Sequence, residues 1–169
     1  MDLLSIKIQQ KKLAAMVIKE ATVRKERLAI GESCTGGIIS SLLTSVPGSS
    51  NAFDQGLVTY SNNAKINLLG VKEATIRENG AVSQKVVEEM VNGLFQISEA
   101  TLALSISGVA GPGSLNPRKP EGLVWMAYGY KVGTIKTSVI NFKPLGRDYV
   151  RQKSSMAALN FLMQLLQTS

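Results

Sequence analysis

Apolar residues recur along this chain at helical spacing in some stretches and in short unbroken runs in others. Leu13, Met16, Val17 and Ala21 share one face of a 3.6-residue repeat that gives way to Arg24-Lys25-Glu26-Arg27, which predicts a helix over 13–23. Leu28-Ala29-Ile30 reads as a buried strand that stops at Gly31 and leads straight into Glu32-Ser33-Cys34-Thr35-Gly36-Gly37. Ile38 to Val46 returns to helical spacing and is closed by Pro47-Gly48. Leu57-Val58-Thr59-Tyr60 predicts a second strand, with Asn62 or Asn63 capping a short helix that carries Ala64, Lys65, Leu68 and Leu69.

The clearest periodicity follows Ser83, a predicted cap. Val86, Val87, Met90, Val91, Leu94 and Phe95 form one stripe, with Lys85, Glu88 and Glu89 facing outward. Thr101 to Ser107 predicts a third strand, and Gly108 to Glu121, with three prolines and three glycines, predicts a loop long enough to be functional. Gly122–Tyr130 and Thr134–Phe142 read as two strands joined at Lys131-Val132-Gly133, and the stretch from Asp148 to Gln167 as a closing helix. Its Leu159, Phe161, Leu162, Met163, Leu165 and Leu166 cover more than one face, which predicts a subunit interface and a homo-oligomer. Helices interleaved with strands plus one hairpin predict an α/β fold, a three-layer α/β/α sandwich around a mixed central sheet, as a single domain over 1–169.

Composition narrows the chemistry. Nineteen lysines and arginines against 12 acidic residues give a formal charge of +7, which favours an anionic ligand. There is no histidine, so triads built on imidazole and histidine-ligated metals are excluded, and one cysteine, Cys34, excludes thiolate clusters and an intrachain disulfide. A catalytic base must then be Lys, Tyr, Asp or Glu. The unpaired thiol, and an N-terminal stretch Met1-Asp2-Leu3-Leu4-Ser5-Ile6-Lys7 without the pattern of a signal peptide, lead us to expect a cytoplasmic protein. No run approaches the roughly 18 apolar residues of a membrane span, so no membrane partner is expected. Scattered lysines with 5% aromatic residues argue against nucleic acid.

Four segments can carry chemistry. At Glu32 to Gly37 a strand turns sharply into a helix, which exposes Ser33 and leaves N–H groups near Thr35 to Gly37 available to an anion or an oxyanion; the same pattern also fits a plain turn capped by Thr35. Cys34 is either a rival nucleophile or a small buried hydrophobe. In Tyr60-Ser61-Asn62-Asn63-Ala64-Lys65, a lysine in the first helical turn has its charge disfavoured by the macrodipole and can serve as a neutral base, with Tyr60 relaying or orienting the proton; taken alone, Lys65 also fits a solvated surface position. Ser105 to Gly113 places hydroxyls and a glycine turn at a strand end, without the spacing of a dinucleotide or Walker motif. Arg147 opens the last helix, where a guanidinium can clamp phosphate or pair with a surface carboxylate.

Taken in order, these segments resemble one family closely, the C-terminal domain of the competence-damage-inducible protein CinA, whose stand-alone members are nicotinamide-nucleotide amidases. The matches are Glu32 to Gly37; Val46-Pro47-Gly48-Ser49-Ser50 with Phe53; Val58 to Asn62 with Ala64-Lys65 and Leu69-Gly70-Val71; Gly80-Ala81-Val82-Ser83; Gly108 to Gly113; Pro117, Lys119-Pro120 and Gly122; and Arg147 with Val150-Arg151. The resemblance implies hydrolysis of nicotinamide mononucleotide to nicotinic acid mononucleotide and ammonia, without metal or cofactor. It puts the nucleophile on Ser33, the lysine on Lys65, the tyrosine on Tyr60, a hydroxyl-bearing ligand-binding position on Ser107 and a phosphate-side arginine on Arg147; the two turns add Cys34, Thr35, Gly36, Gly37 and Gly108 as expected substrate-binding positions. A non-catalytic nucleotide-binding protein on the same scaffold is the alternative. Departures from the family pattern are Ser107 for a usual threonine, Ser114-Leu115-Asn116 in the glycine loop, Leu123, and Leu145-Gly146 before the arginine. The pyrophosphatase activity associated with the larger relatives' N-terminal domain is not expected.

Overall fold

A computed structural model describes residues 2–114 and 116–168; Met1 and the loop departure at Leu115 lie outside them. The apolar runs become one five-stranded sheet: β1 (Leu28–Glu32), β2 (Phe53–Val58), β3 (Leu102–Gly108), β4 (Leu123–Tyr130) and β5 (Lys136–Asn141), in the order β2-β1-β3-β4-β5. β1 is parallel to β2 and β3, while β4 and β5 add as antiparallel strands, so the sheet is mixed. The helices are α1 (Leu3–Val23), α2 (Ile38–Thr44), α3 (Asn62–Leu69), α4 (Glu73–Asn79), α5 (Gln84–Ile97) and α6 (Arg147–Thr168).

Alternation along the strands sorts these helices into two layers. Leu28, Ile30, Leu102, Leu104, Ile106, Val124, Met126 and Tyr128 face α1, α2 and α6. The opposite face presents Ala29, Ala103 and Ala127 to the apolar stripe of α5. Small residues there let α5 approach closely: a Cβ at Gly31 would sit 3.3 Å from Leu94 Cδ1. α5 in turn holds α3 by another close approach, since a Cβ at Gly93 would lie 2.0 Å from the Leu69 carbonyl oxygen. No helix among the described residues is long and apolar enough to cross a membrane.

Boundaries move where tertiary pairing outweighs local pattern. α1 begins at Leu3, ten residues before the predicted start, because Asp2 accepts the Ser5 N–H at 2.9 Å and caps it. β2 covers Phe53–Val58 rather than 57–60, in register with the five residues of β1. Ser61, not Asn62 or Asn63, caps α3 by accepting the Ala64 N–H at 3.0 Å. Ser83 stands at the cap of α5, but its hydroxyl donates back to the Gly80 carbonyl. Of the apolar residues of α6, Leu159, Leu162, Leu165 and Leu166 are buried in the chain's own core, and Phe161 stacks on Tyr128 at 4.6 Å.

Candidate active site

β1, β2 and β3 run parallel, so their carboxyl ends lie side by side, the place where open α/β sheets present ligands. Ser33 follows β1, with its N–H held by the Ile106 carbonyl of β3 at 3.0 Å. Thr59 follows β2, with its N–H on the Glu32 carbonyl at 2.8 Å. The Ser61 cap then starts α3 so that Lys65, one turn on, points back under Ser33. Its Nζ donates to Ser33 Oγ at 3.0 Å, to the Thr59 carbonyl at 2.8 Å and to the Tyr60 carbonyl at 3.4 Å.

Lys65 is 1% exposed, the largest side chain buried so completely. Burial lowers its pKa from 10.5 to about 8, while the neighbouring Cys34 acts in the opposite direction. At neutral pH about a tenth of the molecules therefore carry the free amine, against about one in three thousand for an ordinary lysine. Burial is the main cause that brings this amine into range. It pushes the Cys34 thiol the other way, up to about 12, which leaves Cys34 protonated and poorly nucleophilic.

A cleft of about 220 Å³ opens over the pair, lined by Ser33, Cys34, Tyr60, Asn62, Lys65, Ala81, Val82, Ser107, Gly108, Ala110 and Arg147. Ser107 is buried on the wall and donates to the Ala81 carbonyl at 2.8 Å. Arg147 bridges the mouth, giving one N–H to the Gly111 carbonyl at 2.8 Å and another to the Tyr60 hydroxyl at 2.7 Å. The Tyr60 side chain is exposed and its phenol meets Arg147, while its backbone carbonyl is what reaches Lys65. Thus Ser33, Cys34, Tyr60, Lys65, Ser107, Gly108 and Arg147 come together. Thr35 is buried beneath them, and Gly36 and Gly37 line a different cleft, of about 420 Å³, with Lys7, Lys11 and Gln152.

The turn itself differs from the sequence expectation. Gly36 N–H goes to the Ser33 carbonyl at 3.1 Å and Gly37 N–H to Glu32 Oε2 at 2.9 Å, so neither is open to a ligand. The Glu32 carboxylate also accepts the N–H groups of Ile39 and Ser40 and the Ser40 hydroxyl, consuming the start of α2. Among the described residues only the Cys34 and Thr35 N–H groups of this turn lack an acceptor. The role of Glu32 had a signal in the sequence, an acidic residue just ahead of a helix start.

A sequence model of the CinA C-terminal domain matches residues 10–166. The chain belongs to this family. It is 43% identical over 157 residues to a CinA-like protein of Shewanella loihica and 44% identical over 154 residues to one of Chlorobaculum tepidum; these matches take in 93% and 89% of the chain but 37% and 36% of those proteins. The chain thus spans a little over a third of the curated relatives it matches. Among solved structures, a competence/damage-inducible protein from Agrobacterium tumefaciens superposes with a TM-score of 0.90 at 36% identity, covering 92% of this chain and 94% of that one. A CinA superfamily protein from Klebsiella pneumoniae gives 0.90 at 32% identity, covering 95% and 99%. The CinA C-terminal fold therefore extends over nearly all of the chain, with the Ser33–Lys65 pair at the carboxyl edge of its parallel strands.

Proposed function

We propose that this CinA-family chain is an amidase that hydrolyses the carboxamide of nicotinamide mononucleotide, giving nicotinic acid mononucleotide and ammonia. The observation that carries the reading is the buried Lys65 amine, 3.0 Å from the Ser33 hydroxyl and with its pKa lowered to about 8. A lysine placed so is a base for a serine nucleophile in a protein with no imidazole.

In this scheme Ser33 Oγ adds to the carboxamide carbon as neutral Lys65 takes the hydroxyl proton. The Cys34 N–H, at the cleft, receives the oxyanion. Collapse breaks the C–N bond, Lys65 returns its proton to the departing nitrogen, and ammonia leaves an acyl ester on Ser33. Water, deprotonated by Lys65, then adds to the ester, and collapse releases the carboxylate and restores the serine. Arg147 binds the phosphate by exchanging the Tyr60 hydroxyl and the Gly111 carbonyl for phosphate oxygens, with the Gly108–Gly113 turn beside it. Tyr60 is free to approach the reacting atoms only after that exchange. Ser107 contacts the substrate from the wall. The reaction needs no cofactor in this scheme.

The test is ammonia release from nicotinamide mononucleotide by the purified chain, with one acid nucleotide formed per ammonia. Ser33→Ala is expected to lose at least about a thousandfold in rate. Retained turnover in that variant, or none in the unaltered protein, refutes the assignment.

A further inference from the structure

Peptide geometry connects the Ser33 turn to a residue outside the cleft. A trans peptide directs its carbonyl and its N–H to opposite sides. The Ser33 carbonyl is drawn inward by the Gly36 N–H, which sends the Cys34 N–H outward. The Cys34 carbonyl accepts from Arg151 Nε at 3.2 Å, which turns the Thr35 N–H away from α6, and Arg151 Nη2 holds the Thr35 carbonyl at 2.9 Å. One rigid guanidinium plane therefore fixes two successive peptide planes. Cys34 is 5% exposed and lines the cleft, and an unpaired backbone N–H in so buried a residue is rare unless a ligand uses it; Thr35 is fully buried. Gly36 completes the arrangement: its φ is +60°, and a Cβ there would stand 3.2 Å from Arg151 Nη2. Arg151 lies four residues after Arg147 on α6, so one helix face supplies both the guanidinium at the mouth and the one beneath the turn.

We propose that Arg151 is the positioning residue of the oxyanion site, holding the Cys34 and Thr35 carbonyls so that the turn presents the Cys34 N–H, at the cleft, to the negative charge formed when Ser33 adds to an electrophile. This rests on Ser33 being the nucleophile of the amidase reading, but not on the amide substrate.

The experiment is the rate at which the full chain is labelled by an alkyl fluorophosphonate. There a P–O bond forms to Ser33 Oγ, the P–F bond breaks with loss of fluoride, and the hydroxyl proton passes to Lys65. Rates are followed from pH 6.5 to 9.5 for the unaltered chain, Arg151→Ala and Arg151→Lys. We expect Arg151→Ala to lower the alkaline plateau rate about a hundredfold, the scale of losing an oxyanion donor. The apparent pKa should stay near 8, because Arg151 has no bond to Lys65. Added methylguanidinium should recover at least about tenfold of the loss, which a merely structural role would not produce. Labelling within about threefold of the unaltered chain, or a shifted pKa, overturns the proposal. If thermal melting shows Arg151→Ala to be unfolded, Arg151→Lys decides: a plateau slowed about fivefold or more at unchanged pKa supports the role, and less than about twofold refutes it. A chain that labels at Ser33 yet releases no ammonia from the nucleotide defeats the amidase reading alone.

Discussion

Replacing Lys65 with methionine separates the burial of its charge from every other titration in the protein. The folded amine titrates near 8 and the unfolded one near 10.5. Below pH 8 both states are protonated and the folded state bears the full penalty of a buried ammonium. Between 8 and 10.5 the unfolded chain holds a proton that the folded chain has released, so stability rises with pH across that window, by at most about 1.4 kcal/mol per pH unit. Over the whole window this amounts to about 3 kcal/mol, reduced to about 2 kcal/mol by solvent at the mouth of the cleft. Lys65→Met lacks this rise. The buried Cys34 thiol has the opposite slope above pH 9, because its folded pKa is raised, but both proteins share it and it cancels in the difference. Urea unfolding of the two proteins at pH 7, 8, 9 and 10 measures that difference directly. The unaltered chain should gain about 2 kcal/mol on the variant between pH 7 and 10. A difference constant within about 0.5 kcal/mol would mean that Lys65 does not titrate in this range, and the neutral-base argument would fall with it.

Other consequences follow from single contacts. Ser33→Ala should fold with a loss of no more than about 1 kcal/mol, because Lys65 keeps the Thr59 carbonyl; isothermal calorimetry should find nucleotide affinity nearly unchanged. Glu32→Gln should destabilise by about 2 kcal/mol or more in urea titrations, since the amide's donors would confront N–H groups at the start of α2. Gly93→Ala should cost at least about 2 kcal/mol by the same assay, because its methyl meets the Leu69 carbonyl at 2.0 Å and nothing flexible can give way. Cys34→Ala should retain turnover within about threefold, and Cys34 in the intact fold should alkylate with iodoacetamide far more slowly at pH 8 than a free thiol.

The sheet strands and the α5 stripe were legible because burial on both faces, or on one helical face, imposes its period directly on the residues. Element edges were not, since the start of α1 depends on a cap at Asp2, and β2 takes its limits from its partner. α4 went unread: in Glu73-Ala74-Thr75-Ile76-Arg77-Glu78-Asn79 only Thr75 and Ile76 are buried, too few for a periodic signal. Ser33 and Lys65 could be paired from residue types and the family resemblance, but their contact is made by three parallel strand ends that no local pattern records. The expectation that the Gly36 and Gly37 N–H groups are open to a ligand fails because the Glu32 side chain and the Ser33 carbonyl claim them. In the sequence Arg151 stands out only as part of the Arg147, Val150-Arg151 match. Its bonds to the Cys34 and Thr35 carbonyls span more than a hundred residues, which no local pattern records. Several apolar residues of α6 pack in the chain's own core, and composition alone does not tell such a face from one shared with another subunit.

The central claim is that an uncharged Lys65 activates Ser33, and its most direct measurement is the pH dependence of kcat/KM for ammonia release from nicotinamide mononucleotide. The rate constant should rise about tenfold per pH unit up to about 8 and level off above it, and Lys65→Met should fall at least about a thousandfold with no such rise. A profile flat from pH 6 to 9, or one kept intact in Lys65→Met, would contradict it.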